Sequence, residues 1–400
     1  MRHILRSRKL FAGGGALVLA LLFIEFLDEC FFGALEAAWP LIRDDLSLTY
    51  LQIGILLSVP RIWGSVAGVA LGILGDVWKR RVLIIGGGLL FVASLLLVSG
   101  SVSFAMLMVG LLIFNPASGA FVGLSQATLM DHDTTRYEQN MARWTFAGAS
   151  GVALGALALG GALALGLGWR ELVLATAVVS GMTLLAALKL PLGGSSSGGG
   201  SYPTLRELRS GLTGALNALK RLPVLRWLVL LELANLMGDW LLSYLALYFV
   251  DVAGASKTQA ALGVALWTGV GLLGDFLLIP LLERVRGLTY LRYSALVEFA
   301  LFVAFLLVPG LWPKMVIVAL LGFGNAGWYS ILQAQMYEEM PGKSGTVMAV
   351  NDVSSLVGGL VPLGIGLAAR TWGLGAAMWL LLAGPVALLI GIPRRPTPAD

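Results

Sequence analysis

The 400-residue chain has one cysteine, Cys30, and two histidines, His3 and His132. A single thiol excludes an intramolecular disulfide, a cysteine-based zinc site and an iron–sulfur cluster. Two histidines are too few for an imidazole metal centre, and no Ser–His–Asp set can be assembled around them. A phosphate-cradling G-x-x-x-x-G-K-[ST] loop is also missing, so the sequence gives no sign of ATP hydrolysis. Charge is scarce as well. Asp, Glu, Lys and Arg together make up 12% of the residues, about half the share usual in soluble proteins. That scarcity excludes the two or three soluble domains the length would otherwise suggest. No cofactor and no enzymatic activity are expected.

What fills the chain is apolar: 58% of its residues belong to that class. At roughly 33 residues per membrane span and connection, the length accommodates about twelve helices. Long apolar runs occur at 10–41, 50–75, 82–100, 103–130, 141–168, 170–190, 224–250, 258–282, 289–309, 313–337, 345–370 and 372–392. They lack the alternation of a membrane β-barrel, which leaves helices as the spanning structure. The first run is longer than a signal-peptide core and contains Glu25, Asp28 and Glu29, so cleavage is not expected.

The formal net charge is +5, and in such a chain basic residues report orientation rather than nucleic-acid binding. With both termini cytoplasmic, the inner segments hold Arg2, Arg6, Arg8, Lys9, the run Lys79–Arg81, and most of the remaining Lys and Arg. The outer segments keep only Arg43, Arg170, Lys257, Lys314 and Arg370. This bias predicts an inner-membrane, multi-pass protein with N and C termini inside.

Between the sixth and seventh runs lies Gly193-Gly194-Ser195-Ser196-Ser197-Gly198-Gly199-Gly200-Ser201, a flexible linker by composition, followed by a basic amphipathic stretch. The halves around it repeat. The offset that lays Glu25 on Glu232 also lays Asp28 on Asn235, Gly64 on Gly271, Asp76 on Glu283 and Gln126 on Gln333. It further lays Asp131 on Glu338, Met141-Ala142 on Met348-Ala349, and Gly151 on Gly358. The expected fold is therefore an all-α integral membrane protein of twelve transmembrane helices in two pseudo-symmetric six-helix bundles. Its boundaries are 1–192 for the first bundle, 193–223 for the cytoplasmic linker and 224–400 for the second.

At 100° per residue, Glu25, Glu29 and Glu36 fall within about 40° of one another on the first helix, with Asp28 about 60° to the other side. Glu232, Asn235, Asp239 and Ser243 fit within about 80° on the seventh. A lipid-facing carboxylate near the bilayer centre costs roughly 2.5–3.5 kcal/mol. Glu25, Asp28, Glu29, Glu232 and Asp239 together would cost on the order of 12–17 kcal/mol, comparable with a domain's whole stability. They must face water, be paired, or carry a proton. Glu36, near the outer end, is expected to meet solvent. Asp275 and Glu298, in the eighth and ninth runs, receive no role.

Gly72-Ile73-Leu74-Gly75-Asp76-Val77-Trp78-Lys79-Arg80-Arg81 resembles the G-x-L-x-D-(x)3-R-[RK] loop of the major facilitator superfamily, and Glu283-Arg284-Val285-Arg286-Gly287 resembles a decayed second copy. Gly148 to Gly161 is similar to the family's glycine-rich antiporter motif, with Ala156 where a proline is usual. Asn115 stands where drug/proton antiporters usually place an arginine, and Leu46–Gly54 resembles fosmidomycin-resistance-like efflux proteins.

The resemblance implies that the first and seventh helices flank a central cavity. Glu25, Asp28, Glu29, Glu232, Asn235 and Asp239 then become candidates for binding protons or a polar or cationic substrate. Asn115, Gln126, Asn325, Trp328, Tyr329 and Gln333 become candidate cavity-lining residues, the aromatics offering stacking surfaces. It also implies a gate built on Asp76 with Arg80 and Arg81, the arginines reaching Asp131 or Asp133, and a second gate at Asp352 with Asn351. The function so implied is secondary transport by alternating access: proton-coupled efflux of a small drug-like or cationic compound, by a monomer in the lipid bilayer. Uptake or efflux of a sugar, lipid or other amphiphilic metabolite is the alternative. A non-transporting receptor or an intramembrane enzyme is the alternative from another class.

Overall fold

The structure is a computed structural model that describes residues 2–77, 79–132, 137–190, 192, 220–282, 284–339, 350 and 354–393. The side chains of 2–14, 69, 72–73, 75–77, 130–132, 137–139, 141–142, 279 and 337 lie outside that description. Two compact units divide the chain. Met1–Leu48 with Leu56–Glu207 form the first; Leu208–Asp400, joined by Thr49–Ile55, form the second.

The first unit holds α1 (Arg2–Leu46), α2 (Tyr50–Val77), α3 (Arg80–Ser99), α4 (Phe104–Leu129), α5 (Tyr137–Ala164) and α6 (Trp169–Ala187). The second holds α7 (Leu222–Asp251), α8 (Lys257–Leu282), α9 (Gly287–Leu307), α10 (Leu311–Met336), α11 (Ser354–Trp372) and α12 (Leu374–Gly391). Among the described residues, eleven of these helices are long and apolar enough to cross a bilayer. The twelfth is α1, which carries the acidic stripe. Outward-facing Leu89, Phe276 and Ile390 are 61%, 70% and 79% exposed, as a lipid-solvated surface requires.

Local chemistry sets several helix starts. Ser103 Oγ accepts from the Met106 N–H at 3.3 Å to begin α4, and Glu171 Oε2 accepts from the Gly168 N–H at 2.9 Å to begin α6. Backbone contact holds α1 to α5. A methyl group added at Gly151 would lie 2.5 Å from the Phe26 carbonyl oxygen, and Gly33 and Gly155 meet backbone oxygens of the facing helix more tightly still. Small residues at such spacing allow helices to pack where lipid supplies no hydrophobic drive. Behind this seam Phe31, Phe114, Phe91 and Phe121 pack as tilted rings, with centroids 4.6–5.5 Å apart in successive pairs. In the second unit Tyr248, Phe249, Phe302 and Phe305 form an aromatic core between α7 and α9, at positions other than the repeat counterparts of the first.

Five of the described helices are not continuous, against the unbroken runs read from sequence: α11 turns at Gly359-Leu360, α12 tightens to a 3-10 stretch over Met378–Leu382, and α4, α7 and α10 are interrupted in mid-span. A π turn, Gly119–Gly123, follows Pro116 in α4. A second, Leu236–Trp240, interrupts α7, with Gly238 at φ −93°, ψ −106°. In α10 the helix stops at Gly324 and resumes at Trp328, across Asn325-Ala326-Gly327. Gly327 has φ +72°, a left-handed conformation that costs an L side chain about 1–2 kcal/mol. Under the internal repeat, Ser118-Gly119-Ala120 corresponds to Asn325-Ala326-Gly327, so α4 and α10 are interrupted at equivalent places.

Candidate functional site

In the first unit the acidic residues of α1 meet α4 and α5. Glu25 is 8% exposed, and its Oε1 would lie 2.6 Å from a methyl group on Gly148 of α5. One turn on, Glu29 packs its stem over Gly151. Asp28 turns to α4: Oδ2 accepts from Ser118 Oγ at 3.1 Å, whereas Oδ1 is buried and has no hydrogen-bond partner. Ser118 is the last residue before the π turn of α4. Asn115, one turn earlier, donates from Nδ2 to the Leu111 carbonyl at 3.0 Å and lies against Gly64 of α2. Gln126 is half-buried. Glu36 differs from expectation. It is 2% exposed rather than solvated, because Trp39 on the next turn donates its indole N–H to Oε2 at 3.1 Å.

In the second unit Glu232, the repeat counterpart of Glu25, faces α11. Its Oε1 accepts from Ser354 Oγ at 2.6 Å, and its other oxygen sits over Gly358. Asn235 is half-buried at the entrance to the π turn of α7, where its carbonyl accepts the N–H groups of Gly238 and Trp240 at 3.2 Å each. Asp239, inside that turn, has an exposed side chain. Asn325 places Oδ1 3.6 Å from where a methyl on Gly238 would stand, and its Nδ2 is buried without a partner. The interruptions of α7 and α10 therefore adjoin.

The other residues singled out on α10 separate. Trp328 is 1% exposed and donates its indole N–H to Ser294 Oγ at 2.9 Å, which makes it core. Tyr329 is 57% exposed, and Gln333 is half-buried with Oε1 unpartnered. Of the gate residues, Arg80 is 6% exposed, and Arg81 donates to the carbonyls of Leu188 at 2.5 Å and Leu190 at 2.8 Å beyond the end of α6. Asp133, Asn351 and Asp352, and the side chains of Asp76 and Asp131, lie outside the described residues.

Sequence reading missed Ser118, Ser354 and the partners of the α10 break. A signal existed for Ser118: the repeat lays Asp28 on Asn235 and Ser118 on Asn325. None existed for Ser354, whose counterpart is Ala147. Among the described residues no group of three or more His, Cys, Asp or Glu side chains could hold a metal ion.

Residues 21–362 match the family model of the Major Facilitator Superfamily. The chain belongs to that superfamily. Membership makes it a multi-pass membrane transporter rather than an enzyme. Its fold is similar to that of a bacterial homolog of the human lysosomal transporter Spinster, solved in an inward-facing, unoccupied conformation. That match has a TM-score of 0.75 at 16% identity and covers 95% of each chain. A mutant of the nucleoside transporter NupG aligns with a TM-score of 0.76 at 15% identity, over 94% of this chain and 98% of that one. At such identity the likeness is one of fold. Among curated proteins no sequence match was found.

Proposed function

We propose that this superfamily member is a secondary active transporter that works by alternating access and couples proton entry to the efflux of a small drug-like or cationic compound. The supporting observation is Asp28. It is an acid in mid-span with one oxygen held by Ser118 and the other buried without a donor. A carboxylate left in that state is costly unless a proton or a cation visits it. Glu25, three residues away and nearly buried, supplies a second acid on the same helix, and Glu232 on α7 supplies a third under the repeat. Two bundles rocking about a midplane site is the motion such repeats support. We place both termini in the cytoplasm of a cell bearing the protein in its inner membrane, treat 1–192 and 224–400 as the bundles, and take the working unit as a monomer.

The experiment is transport by purified protein in liposomes, with an imposed pH gradient and a panel of cationic and neutral solutes. Uphill movement of a cationic compound that collapses with a protonophore is expected. Asp28→Asn, which retains an acceptor for Ser118, is expected to lose gradient-driven accumulation by at least about tenfold, the equivalent of 1.4 kcal/mol, while remaining folded. Equal gradient-driven transport by Asp28→Asn, or movement of a sugar, lipid or other neutral amphiphile indifferent to pH, would overturn the reading.

A further inference from the structure

Glu298 lies on α9 with 0% exposure, and neither of its carboxyl oxygens has a hydrogen-bond partner. Tyr290, Ser294 and Glu298 recur every four residues and so share one face of the helix. That face follows the interruption of α10. The Tyr290 hydroxyl donates to the Ala326 carbonyl at 3.0 Å, and Ser294 Oγ accepts the Trp328 indole N–H at 2.9 Å. Glu298 Oε2 lies 2.5 Å from where a methyl on Gly324 would stand. From α8, Asp275 Oδ1 accepts the Gly327 N–H at 3.0 Å. The two acids that sequence reading left without a role thus attend the same break.

The first unit shows that the position does not require an acid. Under the repeat Glu298 corresponds to Phe91, which is 1% exposed and packs at a tilt against Phe114 and Phe121 beside the interruption of α4. An apolar ring fills the equivalent place there, whereas a buried carboxylate without a donor costs several kcal/mol. Among the described residues, two cations on α9 and α10 are committed elsewhere. Lys314 of α10 donates to Tyr248 and to the carbonyls of Phe305 and Leu306, and Arg292 of α9 donates to those of Ile392 and Pro393. Among the described residues, Tyr290 and Asp275 are the titratable groups that face the seam with Glu298. The described part of α12 has none, and Glu338 and Glu339 are exposed in the last turn of the helical segment Trp328–Glu339.

We propose that Glu298 is a proton-binding site of the second unit, placed at the α10 break so that proton occupancy and the bend of that helix are linked. The proton neutralises the carboxyl while it lies against Gly324. Its release requires the carboxylate to reach water or a donor, and the interrupted backbone is where α10 can give way. This site is separate from the acids of α1 and α7. It rests on the transporter reading only for its consequence, a bias on the conformational cycle.

Infrared spectroscopy of the full chain in lipid vesicles tests it, comparing wild type with Glu298→Gln across pH. The wild-type spectrum is expected to contain a protonated-carboxyl C=O absorption that fades as pH rises, is absent from Glu298→Gln and persists in Glu25→Gln. A difference spectrum showing only ionised carboxylate at every pH overturns the proposal. So does fading that follows Na+ or K+ concentration instead of pH. If Glu298→Gln fails to fold, carbodiimide labelling of the wild-type protein keeps the question decidable. Label mapped to Glu298 by peptide mass spectrometry and declining with pH is expected; its absence at low pH, with other membrane carboxyls labelled, overturns the assignment. Neither readout requires transport, so this site and proton coupling through Asp28 can fail independently.

Discussion

Lys314 is a cation inside a membrane protein's core, 5% exposed at the first turn of the first segment of α10. Its ammonium donates to the Tyr248 hydroxyl at 3.0 Å and to the carbonyls of Phe305 and Leu306, the latter at 3.4 Å. It also stands 5.2 Å and 5.1 Å from the centroids of the Tyr248 and Phe305 rings. Those carbonyls end α9, where a helix leaves acceptors unsatisfied and favours positive charge. Lys314→Met keeps the stem's bulk while removing every one of these bonds. A loss of about 2–4 kcal/mol is expected, because a buried acceptor left bare adds its desolvation to the lost bond. Thermal unfolding in detergent checks this, and an unchanged melting temperature would show the cap to be dispensable. In sequence, Lys314 reads only as an outer-side charge. A long flexible stem lets the head reach a helix end that no local pattern discloses, just as Trp39 rescues Glu36 from the solvent that its position near a helix end suggested.

At the scale of elements, the glycine-rich run of α5 divides into residues with different duties. Gly148, Gly151 and Gly155 face α1, whereas nothing lies within 4 Å of where a methyl on Gly161 would stand. Gly151→Ala would force the α1 and α5 backbones apart and is expected to cost about 1–3 kcal/mol. Gly161→Ala meets open space and is expected to be neutral, or to stabilise the helix by up to about 0.5–1 kcal/mol. Folded yield and melting temperature of the two variants separate a packing motif from a uniform one; equal behaviour would refute the division. The helices themselves were legible because apolar length and the polar matches of the repeat declare them. Their interruptions were not. Asn325 reads from sequence as a cavity-lining candidate and Ala326-Gly327 as small residues in an apolar run, and the break is tenable because Asp275 of α8 and Tyr290 of α9 satisfy its backbone. The acidic stripe of α1 was readable from spacing, but its division between Ser118 on α4 and the glycines of α5 depends on helices far away in sequence.

For the whole molecule, the arginines on the proposed inner side do more than bias insertion. Arg81 closes the end of α6, Arg226 donates through Nε to the Gly391 carbonyl at 2.8 Å, and Arg292 donates to the Pro393 carbonyl at 2.6 Å beyond α12. Each places positive charge at a helix C-terminus, where it is favoured by the dipole. α6 and α12 are repeat equivalents, so each bundle caps its last helix with arginine in the same way. At the other end of α6, Arg170 pairs with Asp45 at 2.5 Å and donates to the Ser101 carbonyl at 2.8 Å, so this basic residue is locally neutralised. The lone thiol makes the proposed sidedness measurable. In a Cys30→Ser background, single cysteines at Val102, 78% exposed between α3 and α4, and at exposed Lys220 can be probed with a membrane-impermeant maleimide. Val102→Cys is expected to react in right-side-out vesicles and Lys220→Cys only in inverted ones. The reverse pattern would put the linker outside the cell, against the positive-inside bias of both bundles, and would exchange the faces on which solute and protons are taken up and released.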